Sequence, residues 1–230
     1  MKKLVVLTGA GMSAESGIRT FRDNDGLWNE YRIEDVCTPQ AWQQNPKLVT
    51  DFYNQRRMEL VDVSPNDGHY GLAELEDWFD VQIITQNIDN LHERGGSSKI
   101  LHLHDELTKV RSEKYETLVY ELERHQFEVK IGYLCEKGYQ LRPHVVWFGE
   151  PVPLIEEAIR MVEQADILVI IGTSLSVYPA AGLIDYAPRH CPMYYIDPKG
   201  VGNLPPNVHF IQKGASEGVR ELKEILKTKK

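Results

Sequence analysis

The sequence predicts an α/β fold built on a parallel sheet, and three observations lead there. Short apolar runs alternate with helical stretches, the pattern of strands covered by helices. The first run, Leu4 to Leu7, passes directly into a glycine-rich turn that begins at Gly9. Two stretches, 24–80 and 106–142, interrupt the alternation with a different composition and read as inserts.

Taken in order, Leu4-Val5-Val6-Leu7 has the length and β-branched content of a buried parallel strand. Gly9, Gly11 and Ala14 fit the spacing G-x-G-x-x-G/A. In that spacing the first glycine makes a tight turn and the second leaves room for a pyrophosphate. The third small residue lets the next helix pack on the strand with its amide-rich end toward the phosphates. A dehydrogenase would continue into a second strand ending in an acidic residue about 20 positions on. Here Thr20 to Trp28 is polar and turn-rich, so a dinucleotide would bind without the usual hydride-transfer wiring. Further strands are expected at Val81–Thr85, Ile100–Leu103, Ile167–Ile171, Met193–Ile196 and Val208–Ile211. Helical stripes are expected over 154–164 (Leu154, Ile155, Ala158, Ile159, Val162) and 216–227 (Val219, Leu222, Ile225, Leu226). The 24–80 region mixes Trp28, Tyr31, Trp42, Phe52, Tyr53, Arg56 and Arg57 and reads as a helical insert. The 106–142 region, rich in charge and tyrosine, reads as a small lobe that closes at Arg142-Pro143.

The chain of 230 residues carries 26 Lys plus Arg against 34 Asp plus Glu, a net charge of −8, which argues against a general nucleic-acid surface. The basic end Lys227-Thr228-Lys229-Lys230 reads as a solvated terminus. Neither a signal-peptide cleavage pattern nor an apolar run of membrane-spanning length is present, so the expectation is a cytoplasmic protein with no membrane partner. Cys37, Cys135 and Cys191 are odd in number and far apart, which argues against a disulfide framework, and no pair has metal-ligand spacing.

Polar chemistry collects where strands end. Thr85 to His92 follows an apolar run, which puts Gln86, Asn87 and Asp89 at the carboxyl edge where open α/β sheets bind ligands. Their donors and acceptors suit a ribose and a carboxamide, and an Asx-rich cap is the plain alternative. His102 and His104 share one side of a strand. A third metal ligand is missing, and a single histidine at a strand end suits general-base work, with an unperturbed pKa of about 6.5. Pro143 to Glu150 is an aromatic extended stretch, either a core strand or an edge that pairs with a peptide. Gly172-Thr173-Ser174 offers amides and hydroxyls to phosphate.

In this order the blocks resemble the sirtuins, the NAD-dependent protein lysine deacylases. GAGMSAESGIRTFRD at 9–23, TQNIDNLHERGG at 85–96, HLHDEL at 102–107, VVWFGE at 145–150 and GTSLSVYPAA at 172–181 carry the likeness, which spans nearly the whole chain and is greatest to the bacterial branch. The resemblance implies a Rossmann-type NAD domain (1–23, 81–105 and 143–230) and a small domain formed from 24–80 and 106–142, with NAD and acyl-lysine meeting between them. Ala10, Ile18, Phe21, Asn87 and Asp89 match the nicotinamide pocket. Arg22, Gln86, Thr173 and Ser174 match positions that hold phosphates and ribose. Gly9, Gly11, Ser13, Ser16, Gly172, Asp197 and Ala215 belong to the implied cofactor set, and Val146, Phe148 and Gly149 to the implied substrate set. His104 matches the catalytic base. The implied reaction has Asn87 and Asp89 orient the carboxamide as nicotinamide leaves. The acyl oxygen then captures the ribose carbon, and His104 deprotonates a ribose hydroxyl that attacks the resulting imidate. Water releases lysine and O-acyl-ADP-ribose. Capture by another nucleophile would make the protein an ADP-ribosyltransferase or NAD hydrolase, and loss of catalysis a sensor of NAD or ADP-ribose.

Tyr53 and Arg56 match the Tyr-x-x-Arg pair of sirtuins that remove succinyl and malonyl groups. A phenol and a guanidinium three residues apart on one helix face can grip a carboxylate. Three departures from the family stand out. Sirtuins usually carry two Cys-x-x-Cys pairs that bind structural zinc, whereas 111–142 holds only Cys135. No structural zinc is therefore expected, with Tyr115, Leu118, Val119, Leu122, Phe127, Val129, Ile131 and Tyr133 as an apolar substitute core. Asp105 stands where glycine usually follows the catalytic histidine. Tyr195-Ile196-Asp197 stands where Asn-x-Glu/Asp often meets the adenosine ribose.

Overall fold

A computed structural model describes residues 1–20, 30–123, 127–200 and 206–229. Strands β1 (Lys3–Thr8), β2 (Asp80–Thr85) and β3 (Ile100–His102) form one half of a six-stranded parallel sheet. Strands β7 (Ile167–Ile171), β8 (Met193–Ile196) and β9 (Val208–Ile211) form the other, in the spatial order β3-β2-β1-β7-β8-β9. Leu4 to Leu7 and Ile167 to Ile171 are buried on both faces, which is why these runs are apolar throughout rather than alternating. Each such side chain contributes roughly 1.5–3 kcal/mol on burial. The order reverses between β1 and β7, and that switch point is where a doubly wound sheet opens a crevice beyond its carboxyl ends.

Helix α1 (Gly11–Ala14) is a single turn. Helices α2 (Ile33–Val36), α3 (Pro39–Gln44) and α4 (Pro46–Asp62) follow. The last two start with proline at the first helical position and with Thr38 and Asn45 accepting the N–H groups of Ala41 and Leu48. Helix α5 (Asp67–Glu74) opens on a reciprocal cap, with Asn66 accepting from the first turn while its own N–H donates to His69 Nδ1 at 3.2 Å. Helix α6 (Leu91–Arg94) follows β2, and α7 (Ile155–Glu163) and α8 (Ala215–Leu226) cover the second half-sheet. Within the described residues, strands β4 (Asp105–Ser112), β5 (Val119–Glu121) and β6 (Leu141–Val145) form a separate antiparallel sheet in the order β5-β4-β6. No helix among the described residues is long and apolar enough to cross a membrane.

The packing departs from the expected division in two places. Leu72, Leu75 and Phe79, from the second half of the 24–80 stretch, join the core of the large sheet with Val219 and Leu222 of α8. Residues 141–145 join the small sheet, so the chain returns to the large sheet only after Glu150. Helices α2 to α4 do form a cluster of their own, in which Val36, Trp42, Phe52, Tyr53 and Leu60 pack with Val145 and Trp147.

The small lobe also corrects an expectation. Phe127 and Val129 are buried, but Val119, Ile131 and Tyr133 are 38%, 48% and 49% exposed and form no core. The corner at 130–141 is held by polar contacts instead. Leu134 bridges Gln140 antiparallel, and Leu141 N donates to Tyr133 O at 2.8 Å. The Gln140 side chain accepts from Gly132 N (2.7 Å) and donates to Tyr133 O and Leu141 O (3.1 and 2.9 Å). Lys114 donates to Tyr139 Oη at 2.7 Å and lies over that ring. The residues do not fit a four-thiolate zinc centre: Cys135 is the only cysteine in the lobe, and its Sγ lies 3.4 Å from Ser112 Oγ.

Candidate active site

The glycine-rich turn and the end of β7 are pressed together at the switch point. Gly9 N donates to Ile171 O at 3.0 Å and Gly11 N to Gly172 O at 2.9 Å. A Cβ at Gly9 would come within 2.8 Å of Gly172 O, and one at Gly11 within 2.7 Å of Gly172 Cα. The close approach that the spacing signalled is thus made first to protein backbone. Gly172, at φ 61°, completes the contact, since a side chain there would collide with the backbone at Met12 N and Gly11.

One turn on, Ser13 connects two predicted site residues. Its Oγ donates to Asp89 Oδ2 at 2.9 Å and accepts from Asn87 Nδ2 at 3.1 Å. Asp89 Oδ1 accepts the Leu91 N–H at 3.1 Å, capping the entry to α6. Burial raises the Asp89 carboxyl above its ordinary range, opposed by the Leu91 and Ser13 hydrogen bonds. Ser16 accepts from Asn66 Nδ2 at 3.1 Å, Ile18 packs on the α2–α4 cluster, and Ala10 stands at the N-terminal boundary of α1. Ala215 begins α8 and is buried. Phe21 and Arg22 lie outside the described residues.

His104 Nδ1 lies 3.0 Å from Gln86 O, where it donates, leaving Nε2 as the basic atom. Burial lowers this imidazole below the ordinary histidine value, with the Gln86 bond opposing, so the ring is neutral and able to accept a proton at neutral pH. His102 also turns to this segment, its Nδ1 3.3 Å from Asn87 O and its Nε2 2.6 Å from Glu93. Burial disfavours its charge, but the Glu93 bond and charge outweigh that and raise its pKa. Glu93, His102 and Glu106 form the one group with metal-ligand proximity among the described residues, yet Glu106 is already paired with Lys109 and His102 with Glu93.

Asp105 takes the conformation its position demands, with φ 60°, which explains why glycine suits that place. Its carboxylate faces Arg111 (3.4 Å) and His144 (3.6 Å) rather than His104. On the other half-sheet, Gln86 Nε2 donates to Thr173 Oγ1 at 3.2 Å, while Ser174 is exposed and shares a 2.7 Å bond with Ser176. Tyr195 is fully buried and its hydroxyl donates to Thr173 O at 2.8 Å, so this residue braces the loop that follows β7 from beneath. Asp197 accepts the N–H groups of Lys199 and Gly200.

The 146–149 segment lies between the two sheets. Val146 N donates to His104 O at 3.1 Å and Phe148 N to Cys37 O at 3.0 Å; Phe148 is 42% exposed and Gly149 takes φ 89°. Arg142 shapes this turn. It donates to Glu150 Oε1 (2.7 Å) and Val145 O (2.9 Å) and stacks 3.3 Å from the Trp147 ring centroid, while Glu150 accepts Trp147 N at 2.7 Å. Trp147 Nε1 donates to Tyr53 Oη at 3.0 Å, and Cys37 Sγ lies 3.4 Å from the same oxygen. Burial pushes the Tyr53 phenol well up and the Cys37 thiol up to about 11, so both are neutral. Arg56 lies one turn farther along α4. A separate cavity of about 510 Å³, bounded by Leu60, Asn90, Arg94, Thr108 and Phe127, contains none of the catalytic, cofactor or substrate residues that the sequence predicts.

Residues 9–179 match the family model described as the Sir2 family. The chain belongs to the Sir2 family. This Sir2 chain is 60% identical over 230 residues to a protein named NAD-dependent protein deacylase from Bacteroides thetaiotaomicron, covering 98% of each. It is 55% identical to a protein of the same name from Helicobacter pylori, covering 96% of each. Among solved structures, a mutant Sir2 homologue in complex with ADP-ribose superposes with a TM-score of 0.88 at 40% identity, covering 98% of this chain and 94% of that one. A Sir2 homologue in complex with NAD gives 0.85 at 39% identity, covering 98% and 91%. The sequence had not signalled Ser13 as the bridge between Asn87 and Asp89, nor Glu93, Trp147 and Arg142, because each acts through a partner distant along the chain.

Proposed function

We infer that this Sir2 chain is an NAD-dependent protein lysine deacylase, a transferase that moves an acyl group from lysine to ADP-ribose and releases nicotinamide. The observation that carries the reading is the Asn87–Ser13–Asp89 linkage beside a neutral His104 whose Nδ1 is fixed on Gln86 O. NAD lies as cosubstrate across the switch point. Gly9, Ala10, Gly11, Gly172, Thr173 and Ser174 are on its phosphate and ribose side, with Gln86, Ser16, Asp197 and Ala215, and Asn87, Asp89 and Ile18 are around the nicotinamide. The overall balance is NAD plus acyl-lysine plus water giving nicotinamide, lysine and O-acyl-ADP-ribose. His104 Nε2 takes the ribose hydroxyl proton, and Val146, Phe148 and Gly149 pair with the substrate backbone.

The acyl pocket is built for groups that end in a carboxylate as well as for acetyl. Arg56 is 8% exposed, and its Nη1 is buried without a partner among the described residues, a donor that a succinyl or malonyl carboxylate would satisfy. Tyr53 Oη, held by Trp147, is the second contact. A hydrogen bond to a charged group is worth roughly 1.5–3 kcal/mol, a preference of about 10- to 150-fold. The working location is the cytoplasm, and the small lobe folds without zinc. The test is to mix the protein with NAD and acetyl- or succinyl-lysine peptides and to follow nicotinamide and O-acyl-ADP-ribose by mass spectrometry. Peptide-dependent release of both products supports deacylation. Nicotinamide release without peptide points to NAD hydrolysis, and NAD binding without release to a sensor; either would overturn the reading.

A further inference from the structure

The Arg56 guanidinium is held on one edge before any substrate arrives. Its Nε donates to Glu59 Oε2 at 2.9 Å and its Nη2 to Glu59 Oε1 at 2.8 Å, a side-on bidentate pair across one turn of α4. The cation also lies 4.9 Å from the Phe52 ring centroid. Arg56 is 8% exposed and Glu59 41%, so the positive group is inside and its counter-ion half outside. The opposite nitrogen, Nη1, is the unpartnered one. Glu59 has a second cation within reach, with Arg19 Nη2 3.5 Å from the same Oε1, and Arg19 pairs in turn with Glu30.

We propose that Glu59 is a specificity-determining residue, a resident counter-ion that tempers the enzyme's preference for acyl groups ending in a carboxylate. The proposal rests on the reading of Tyr53 and Arg56 as the acyl pocket. A guanidinium already matched by a carboxylate presents no net charge. An incoming carboxylate gains contact with Nη1 but meets the repulsion of Glu59 from the far edge of the same planar group. The two edges are distinct, so both anions fit at once, and the exposure of Glu59 screens part of the repulsion. Arg19 gives Glu59 somewhere to lean, so its charge is not stranded when it yields. An acetyl group carries no charge and feels little of this.

Glu59→Gln keeps the length of the side chain and an acceptor for Arg56 while removing the charge. With saturating NAD and acetyl- and succinyl-lysine peptides of one sequence, the variant should raise the succinyl-to-acetyl ratio of kcat/KM about 3- to 10-fold, the scale of one carboxylate's repulsion at several ångströms in a high effective dielectric. The gain should reside in KM for the succinyl peptide rather than in kcat, and should shrink at high salt. Glu59→Ser serves if the glutamine variant loses its thermal midpoint. An unchanged or lowered ratio in a folded variant overturns the proposal. Arg56→Met separates the two claims. Equal losses on both peptides would sink the acyl-pocket reading itself, whereas a selective succinyl loss beside an unresponsive Glu59→Gln would sink only the role of Glu59.

Discussion

Replacing Ser13 with alanine tests the centre of the site. The hydroxyl is buried, donates to the Asp89 carboxylate at 2.9 Å and accepts from the Asn87 amide at 3.1 Å. Removing it leaves Asp89 with one fewer donor and the Asn87 N–H without its acceptor. Hydrogen bonds to charged groups are worth roughly 1.5–3 kcal/mol, so Ser13→Ala should cost about 2–4 kcal/mol of stability with the neutral bond included. The sign of the pH dependence follows from Asp89. Its folded pKa lies above the unfolded value because of burial, so folding binds protons between the two, and the stability contribution falls as pH rises through that window. Loss of the Ser13 bond removes an influence that lowers this pKa, so the destabilisation should be smaller in acid and grow toward neutral pH. The acid limb of nicotinamide release should move to higher pH in the same variant. Thermal unfolding across pH and a rate profile check both. A variant with the parent's midpoint and an unmoved acid limb would refute the reasoning.

His104→Ala should lower deacylation by about 10²- to 10⁴-fold, the usual range for general-base work, while titration calorimetry still finds NAD bound; turnover within a few-fold of the parent would remove His104 from that role. Gln140→Ala should cost roughly 1–3 kcal/mol and lower the thermal midpoint, because one side chain closes the corner of the small lobe through several backbone groups. Chelator-washed protein should contain far less than one zinc per chain by elemental analysis. Burial holds His69 and His144 down to about 4, so unfolding takes up protons below the ordinary histidine value of about 6.5. Stability should therefore decline as pH falls from about 6.5 toward 4, by up to about 1.4 kcal/mol per pH unit for each ring. Denaturant titrations of the parent and of His69→Gln check this, and equal slopes would count against it.

The inner strands of the large sheet were legible because burial on both faces writes an unbroken apolar run, whereas the edge strand Val208–Ile211 leaves His209 and Phe210 exposed and shows only a short apolar-rich run. Ile167–Ile171, Met193–Ile196 and Val208–Ile211 coincide with their expected bounds. Helices at 155–163 and 215–226 were legible because one covered face imposes a stripe. The small lobe was not: Val119, Ile131 and Tyr133 are apolar by type yet lie on the surface. What holds that corner is Gln140 and a lysine between tyrosine rings, contacts that leave no periodic trace. Residues 67–79 were expected in the helical insert because composition does not say which sheet a helix covers, and it is the contact of Leu72 with Val219 and Leu222 that puts them on the large one.

For the site, the sequence by itself determined the chemical inventory and its order: a glycine-rich turn, an Asn-Asp pair, a histidine at a strand end and a Tyr-x-x-Arg pair on a helix. These are local facts, set by spacing along a strand or helix. Only the tertiary structure decided which groups meet across the chain. Ser13 joins Asn87 and Asp89 from more than 70 residues away, Tyr195 braces Thr173, Asp105 turns to Arg111 and His144 instead of His104, and Trp147 holds the Tyr53 hydroxyl. Such pairings depend on the reversal of strand order at β1 and β7 and on how the small sheet packs against α4. No local pattern encodes either, because the interactions that settle them are made between segments that become neighbours only when the core closes.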